Sequence, residues 1–420
     1  MRMTVAIVVC GLGSVGIGAA QPVEPVLSQV KDEQGPFVST LRELVSVESG
    51  SHDIEGLTRL AGIIGDRLRG LGAEVDLVPA ADIYQMQDTP EQIGPSVLAR
   101  FRGTGTRRIL LLAHLDTVYP RGMLSEQPFR IDGDRAYGLG IADDKHGVAI
   151  ILHAMAVLEA LEFREYGLVT VLINADEEVS SPGSRGLITR LGREHDVVLS
   201  CEGGGDDEVR LTTAGIGAFK MTVRGRASHA GAAPDQGRNA LYELMHQIMQ
   251  TRDLSDPDIG LKMNWTVASA GTKRNVIPAE AEATADVRVL MVEDYDRIEQ
   301  EVRRRAQNRL IPDAELDLVF ERRRPPLQVN NASRRLAAHA REVFRELGMN
   351  LTVEEEASGG GTDAAFAALE TSAPVIEGMG LRGFGAHSNR AEYIDLSSVE
   401  PRLYLLTRMI MDVARGLAGN

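Results

Sequence analysis

Histidines and acids stand directly behind the apolar runs of this chain. His114-Leu115-Asp116 follows Leu110-Leu111-Leu112-Ala113, and Asp143-Asp144-Lys145 closes Gly138-Leu139-Gly140-Ile141-Ala142. Asp176-Glu177-Glu178 follows Val171-Leu172-Ile173-Asn174-Ala175, and Glu202 follows Val198-Leu199-Ser200-Cys201. His387 follows Pro374-Val375-Ile376-Glu377 and a glycine loop. Taken singly, each is weak. A lone His after a strand is more often packed or capping, Glu177-Glu178 reads as a solvated loop, and Asp143-Asp144 suits the start of the next helix. Taken together they converge, because functional groups in open α/β sheets gather at the carboxyl ends of the strands.

Imidazole and carboxylate without thiolate suit zinc. Three carboxylates, Asp143, Glu178 and Glu202, with one hydroxide balance two divalent cations. Two metals about 3.5–4 Å apart need a bridging carboxylate and a bridging water. Asp116, two residues beyond His114, can accept the second imidazole N–H and fix the tautomer. Glu177 is then left over, and a carboxylate beside an activated water is what a general base requires. Adjacent strand residues point to opposite faces, so Glu177 and Glu178 can both serve only if the strand has ended before them.

The elements that must carry these groups follow from hydrophobic patterning. Residues 22–75 read as helices: Leu41, Leu44, Leu57, Leu60, Ile63 and Leu68 recur at helical spacing, with a break around Ser49-Gly50-Ser51. Runs over 108–113, 168–173 and 197–200 read as buried strands, and 147–161 as an apolar-faced helix. Such alternation predicts an α/β fold, a mixed, mostly parallel sheet with helices on both faces. Near residue 214 the texture changes. Ala218 to Arg224 alternates apolar and polar, followed by a helix at about 237–251, strands around 262–270 and 281–290, a charged helix over 293–310 and a strand over 315–321. That is a β-α-β-β-α-β order, after which Arg322-Arg323-Arg324-Pro325-Pro326 reads as a return linker. The expected division is a first catalytic part over 21–213, an inserted α+β, ferredoxin-like lid or dimerisation domain over 214–324, and a second catalytic part over 325–420.

Composition narrows the function classes. With 420 residues, 43% hydrophobic and 25% charged, the chain has ample material for more than one core and none of the character of a disordered segment. Lys and Arg number 45 against 60 acids, a net charge of −15, which disfavours phosphate backbones and hence nucleic acid. Aromatics at 4% argue against base- or sugar-stacking platforms. Cys10 and Cys201, the two cysteines, exclude a disulfide scaffold and a cysteine-built zinc finger.

The N-terminus offers a competing signal. Gly11-Leu12-Gly13-Ser14-Val15-Gly16 follows an apolar run, as a dinucleotide fingerprint would. Pro22 and Pro25 break the helix such a turn must open. Arg2, the apolar stretch and Gly18-Ala19-Ala20 read instead as a secretory signal peptide over 1–20, cleaved near Ala20, which predicts an exported protein. The apolar run is shorter than the roughly 20 residues of a spanning helix, and no membrane partner is expected.

Longer motifs carry a resemblance. They are His114-Leu115-Asp116-Thr117-Val118-Tyr119, Tyr137-Gly138-Leu139-Gly140-Ile141-Ala142-Asp143-Asp144-Lys145, Asp176-Glu177-Glu178 and Ala227-Ser228-His229-Ala230-Gly231-Ala232-Ala233-Pro234. To these are added Gly359-Gly360-Gly361-Thr362-Asp363-Ala364-Ala365 and Gly383-Phe384-Gly385-Ala386-His387-Ser388. From about residue 38 to about 416 the chain resembles the di-zinc aminoacylase/carboxypeptidase family of exopeptidases, in particular its folate-cleaving glutamate carboxypeptidase branch. The resemblance implies two zinc ions per subunit. His114 and Glu202 would hold one, Glu178 and His387 the other, with Asp143 bridging and a cis peptide after it. Asp116 would orient His114, and Glu177 would deprotonate the water and later protonate the leaving amine.

The resemblance also implies a homodimer through the inserted domain. His229 would reach the partner's active site and polarise the scissile carbonyl. Arg288, assisted by Asn275, would grip the α-carboxylate of a small-molecule or peptide-like substrate. Arg210 stands roughly where a basic residue would read a glutamate side chain, and Gly360 would line the substrate. Without the resemblance, Arg288 reads equally well as a surface ion pair and His229 as a turn-stabilising residue. His146 and Gly203-Gly204-Gly205 depart from the family pattern, so that His146 could narrow the pocket or add a ligand. The implied activity is zinc-dependent hydrolysis of the amide to a C-terminal amino acid, releasing glutamate from folate-like or N-acyl-glutamate substrates. A broader N-acyl-amino-acid amidohydrolase or dipeptidase is the alternative. A non-catalytic metal buffer on the same fold would require a missing ligand or base.

Overall fold

The computed structural model describes residues 21–357, 359–388 and 392–419. The signal peptide expected over 1–20 lies outside them. The central sheet has six strands in the order Glu74–Val78, Ser96–Arg102, Leu168–Asn174, Arg108–His114, Val197–Ser200 and Val375–Ile376. The first two pairings are antiparallel and the last three parallel. Alternation along these strands fills both faces. Ile109, Leu111, Val169, Val171 and Leu199 join a core built with helices Glu24–Val45, Ile54–Gly70, His146–Ala160, Asn331–Glu346 and Val399–Ala414. Leu110, Leu112, Leu172 and Val198 pack on the opposite face against helices Arg185–Glu194 and Ala364–Ala368. The α/β class with helices on both faces is thus observed.

A second sheet, wholly antiparallel, has the order Lys262–Ala270, Glu280–Val289, Gly215–Arg224, Glu315–Arg324. Helices Ala240–Thr251 and Glu293–Arg305 complete its β-α-β-β-α-β succession. Phe219, Met221 and Val223 pair across with Ala285, Ala283 and Ala281 to form its core with Leu244, Ile298 and Val302. Two expectations need correction. The charged helix stops at Arg305 rather than 310. The last strand runs on through Arg324, so Arg322-Arg323-Arg324 is strand and not linker, with a bulge between Arg322 and Arg324.

A small four-stranded sheet brings distant loops together. Gly383–Phe384 pairs with Tyr393–Asp395, which pairs with Arg135–Tyr137, which pairs with Arg130–Asp132. The segment ahead of His387 is thereby tied to the hairpin ahead of Asp143.

Candidate active site

His114 is the last residue of its strand, and Glu177 and Glu178 sit in a 3₁₀ turn three residues past theirs. The strand has therefore ended before the two glutamates, and both are free to serve. The peptide between Asp143 and Asp144 is cis. Asp144 takes the bland role, accepting from the backbone N–H of Gly147 at the start of the helix, while Asp143 points at the imidazoles.

Asp143 divides its two oxygens between the histidines: His114 Nε2 is 2.9 Å from Oδ1 and His387 Nε2 is 3.2 Å from Oδ2. His387 Nε2 also lies 3.1 Å from Glu178 Oε2. Ligand atoms of Asp143, Glu178 and His387 all fall within 4.8 Å of one another. Glu202, from the end of the neighbouring strand, accepts from Thr362 Oγ1 at 3.3 Å.

The electrostatics ask for positive charge. Burial pushes the carboxyls of Glu178 and Glu202 upward, Glu202 further through Glu377 and Glu177. Burial also acts on Asp143, but hydrogen bonds from His114 and His387 outweigh it and hold it below the usual carboxylate range. His387 rises to about 10 through Asp143 and Glu178. Two imidazoles and the carboxylates of Asp143 and Glu178 arranged in this way, with Glu178 Oε1 buried and unpartnered and the Glu202 carboxyl close enough to feel Asp143 and His114, fit a divalent-cation site of nitrogen and oxygen donors.

Asp116 does more than expected. His114 Nδ1 lies 3.1 Å from its carbonyl oxygen and 3.4 Å from Oδ1. The Asp116 carboxylate accepts from the backbone N–H groups of Glu177 and Glu178 and from Ser51 Oγ. One buried carboxylate thus places the imidazole and the glutamate turn together. Glu177 is buried and paired with Arg324. Burial pushes its carboxyl upward, against the opposing pull of the Arg324 guanidinium.

Arg324, Asp363 and Glu392 belong to the site's support and escaped notice as such. Arg324 Nη1 also reaches Asp363 Oδ1 at 3.4 Å. Glu392 is fully buried; it accepts from Tyr119 Oη at 2.6 Å and from the backbone N–H groups of Gly140 and Ala142, holding the loop that presents Asp143. Asp363 stood inside a quoted motif. Arg324 was masked by its arginine- and proline-rich surroundings, and no local pattern marks Glu392.

The remaining candidates fall around this centre. Arg288 is held by both oxygens of Asp286 and donates to the carbonyl of Gly359 at 2.8 Å. The loop with Gly360 therefore lies between Arg288 and Arg324, and a Cβ on Gly361 would be 2.3 Å from Arg324 Cδ. Arg210 is occupied by Glu208. His229 is exposed on the second sheet's side; its Nδ1 accepts from the backbone of Gly231 and Ala232, and the Asn275 carbonyl accepts from Ala230 N. His146 neither narrows the cleft nor joins the ligands: it is fully buried, packed between Gly203 and Gly380. A cleft of about 650 Å³ runs from Glu178 and Val179 past Val118 to His52.

Imidazoles and carboxylates gathered beyond the carboxyl ends of parallel strands, in a donor set that suits a divalent cation, are the arrangement of a metallohydrolase. The family model "Peptidase family M20/M25/M40" matches residues 110–412, and the chain belongs to that family. It is 41% identical to carboxypeptidase G2 of Pseudomonas sp. (strain RS-16), over 99% of this chain and 98% of that one. The fold is shared with aminopeptidase PepT of Bacillus cereus ATCC 10987, at TM-score 0.74 and 20% identity over 91% of this chain and 99% of that one. It is shared too with the Bacillus subtilis YXEP protein, a dinuclear metal binding peptidase, at TM-score 0.65 and 18% identity over 92% and 99%. Among the described residues no helix is long and apolar enough to cross a membrane.

Proposed function

We propose that the chain is a zinc-dependent exopeptidase that hydrolyses the amide to a C-terminal amino acid, releasing glutamate from folate-like or N-acyl-glutamate substrates. The observation that carries this is the splitting of Asp143 between His114 and His387, together with near full-length similarity to a carboxypeptidase. His114 and Glu202 would hold one zinc ion, Glu178 and His387 the other, with Asp143 shared. Zinc bound there supplies Lewis-acid polarisation and an acidified water. Glu177 takes a proton on its carboxylate and returns it to the leaving amine. Asp116 keeps His114 and the glutamate turn in register. Arg288, pre-oriented by Asp286, offers its fork to the substrate carboxylate, with Asn275 and the Gly360 loop beside it.

A homodimer with His229 serving the partner's site is part of the proposal. Tyr242, Met245 and Met249, at 62%, 54% and 51% exposure, form an uncovered apolar stripe along helix Ala240–Thr251, as an interface would require. Export after cleavage near Ala20 completes it and rests on the composition of residues 1–20. A second reading, a broader N-acyl-amino-acid amidohydrolase or dipeptidase, is favoured by Arg210: its pairing with Glu208 leaves it no free fork for a side-chain carboxylate.

The test is zinc titration into chelated enzyme against a panel of N-acyl-glutamates, N-acyl-leucines and dipeptides. Two equivalents should restore turnover, greatest on the glutamates. Glu177→Gln should keep both ions and lose about 10²–10⁴-fold in kcat, whereas Glu178→Gln should also lose metal. Absence of metal-dependent hydrolysis across the panel would overturn the reading.

A further inference from the structure

Away from the metal-ligating cluster, a second cavity of about 540 Å³ opens where helices Arg185–Glu194 and Ala364–Ala368 face the end of strand Glu315–Arg324. That volume is typical of small-molecule sites. Aromatic and apolar walls, Tyr84, Tyr295, Phe366 and Leu369, meet four guanidiniums and a single carboxylate, Glu370. In a chain with 60 acids against 45 Lys and Arg, this local excess of cations runs against the overall charge.

Two of the four guanidiniums are already neutralised. Arg193 pairs with Glu370, and Arg322 with Asp296 and Glu299. Arg185 is not. It donates to the carbonyls of Ser180, Ser181, Arg322 and Arg323, all neutral acceptors, and lies over the rings of Tyr84 and Phe366 at 4.2 and 4.9 Å. No carboxylate among the described residues is within ion-pair reach of it, and burial draws its pKa down to about 10. Arg190, five residues on in the same helix and lining the same cavity, is exposed and has no ion pair among the described residues. A part-buried cation without a counter-charge, set between ring faces beside a free guanidinium, is a receptor for an anion carrying its own flat apolar body.

We propose that this cavity is a second binding site for a small aryl anion of the arylcarboxylate or arylsulfonate class. Its ring lies among Tyr84, Phe366 and Leu369, and its acid group is on Arg185 and Arg190. The site also touches catalysis indirectly. The carbonyls of Arg322 and Arg323 that hold Arg185 immediately precede Arg324, so an occupant braces the strand end that presents Arg324 to Glu177.

The test is isothermal titration of holoenzyme with naphthalene-2-sulfonate, with neutral 2-naphthylmethanol as control. Saturable binding is expected, weakened about tenfold or more in Arg190→Glu and in Leu369→Glu, and equally for the neutral alcohol. Both variants alter exposed positions outside the catalytic cluster, and basal turnover should stay at the wild-type level. No saturable binding up to millimolar probe, retained affinity in either variant, or equal affinity for the alcohol would overturn the proposal.

Discussion

Arg324 grips Glu177 twice, through the carboxylate and through the backbone carbonyl, and reaches it from the end of a strand of the other sheet. The residue that would shuttle the proton is therefore fixed by an element 147 positions away in sequence. Arg324→Ala should destabilise the fold by about 3–5 kcal/mol, since it leaves Glu177 and Asp363 buried without their counter-charge. Arg324→Lys keeps the charge but loses the fork. It should lower kcat about 10–100-fold with KM nearly unchanged, because the group acts through Glu177 and not on substrate. Steady-state kinetics on both variants, with melting curves alongside, check this; a change confined to KM would refute it.

His146, Gly203 and Gly380 are one packing unit. A Cβ on Gly203 would stand 2.5 Å from His146 Nε2, and one on Gly380 would stand 2.5 Å from His146 Cε1. Burial lowers the imidazole to about 4, so the ring is neutral. Gly203→Ala should cost about 1–3 kcal/mol by overpacking. In the Gly203→Ala/His146→Ala double variant much of that cost should vanish, a coupling that a double-mutant cycle in denaturant reads directly. Additive losses would show that the two positions are independent.

Much of this site was legible because strands announce themselves locally. Leu110 to Ala113 and Val169 to Ile173 are continuous aliphatic runs, and whatever follows them stands at a sheet edge. What closes the site was not legible for the same reason. Three arginines before two prolines look solvated in one dimension, and only the bulge between Arg322 and Arg324, with pairing to Gly217 and Ile216, turns the last one inward. Glu392 likewise has no neighbours of note in sequence, yet it holds Tyr119, Gly140 and Ala142 at once. Departures from the family pattern at His146 and Gly203 pointed toward the pocket when read separately; in the fold they answer each other.

Acid should loosen the C-terminal helix first at Asp412. Its carboxyl is buried, which raises its pKa, but the His339 hydrogen bond and the charges of Arg408 and His339 prevail and hold it below the ordinary value. A depressed carboxyl contributes stability that is complete above the unfolded value, about 3.9, and is lost as pH falls through the folded one. Asp412→Asn should therefore melt below wild type at neutral pH, and the gap should narrow steadily below about pH 4. Thermal melts from neutral to acidic pH check it; a gap that widens on acidification would reverse the sign.

His229 distinguishes a site completed by a partner from one complete in a single chain. Its side chain is exposed on a turn of the second sheet, with Nδ1 accepting from its own loop, so Nε2 is the atom free to act elsewhere. His229→Ala and Glu177→Ala should each be nearly inactive alone. Refolded or co-expressed together, they should regain up to about a quarter of wild-type activity, because half of randomly formed dimers pair one intact Glu177 with an intact His229 from the other chain. Size-exclusion chromatography of the same mixture should show a dimer whose yield falls when Met245→Glu or Met249→Glu interrupts the apolar stripe of helix Ala240–Thr251. Recovery without dimer, or dimer without recovery, would place the role of His229 within its own chain.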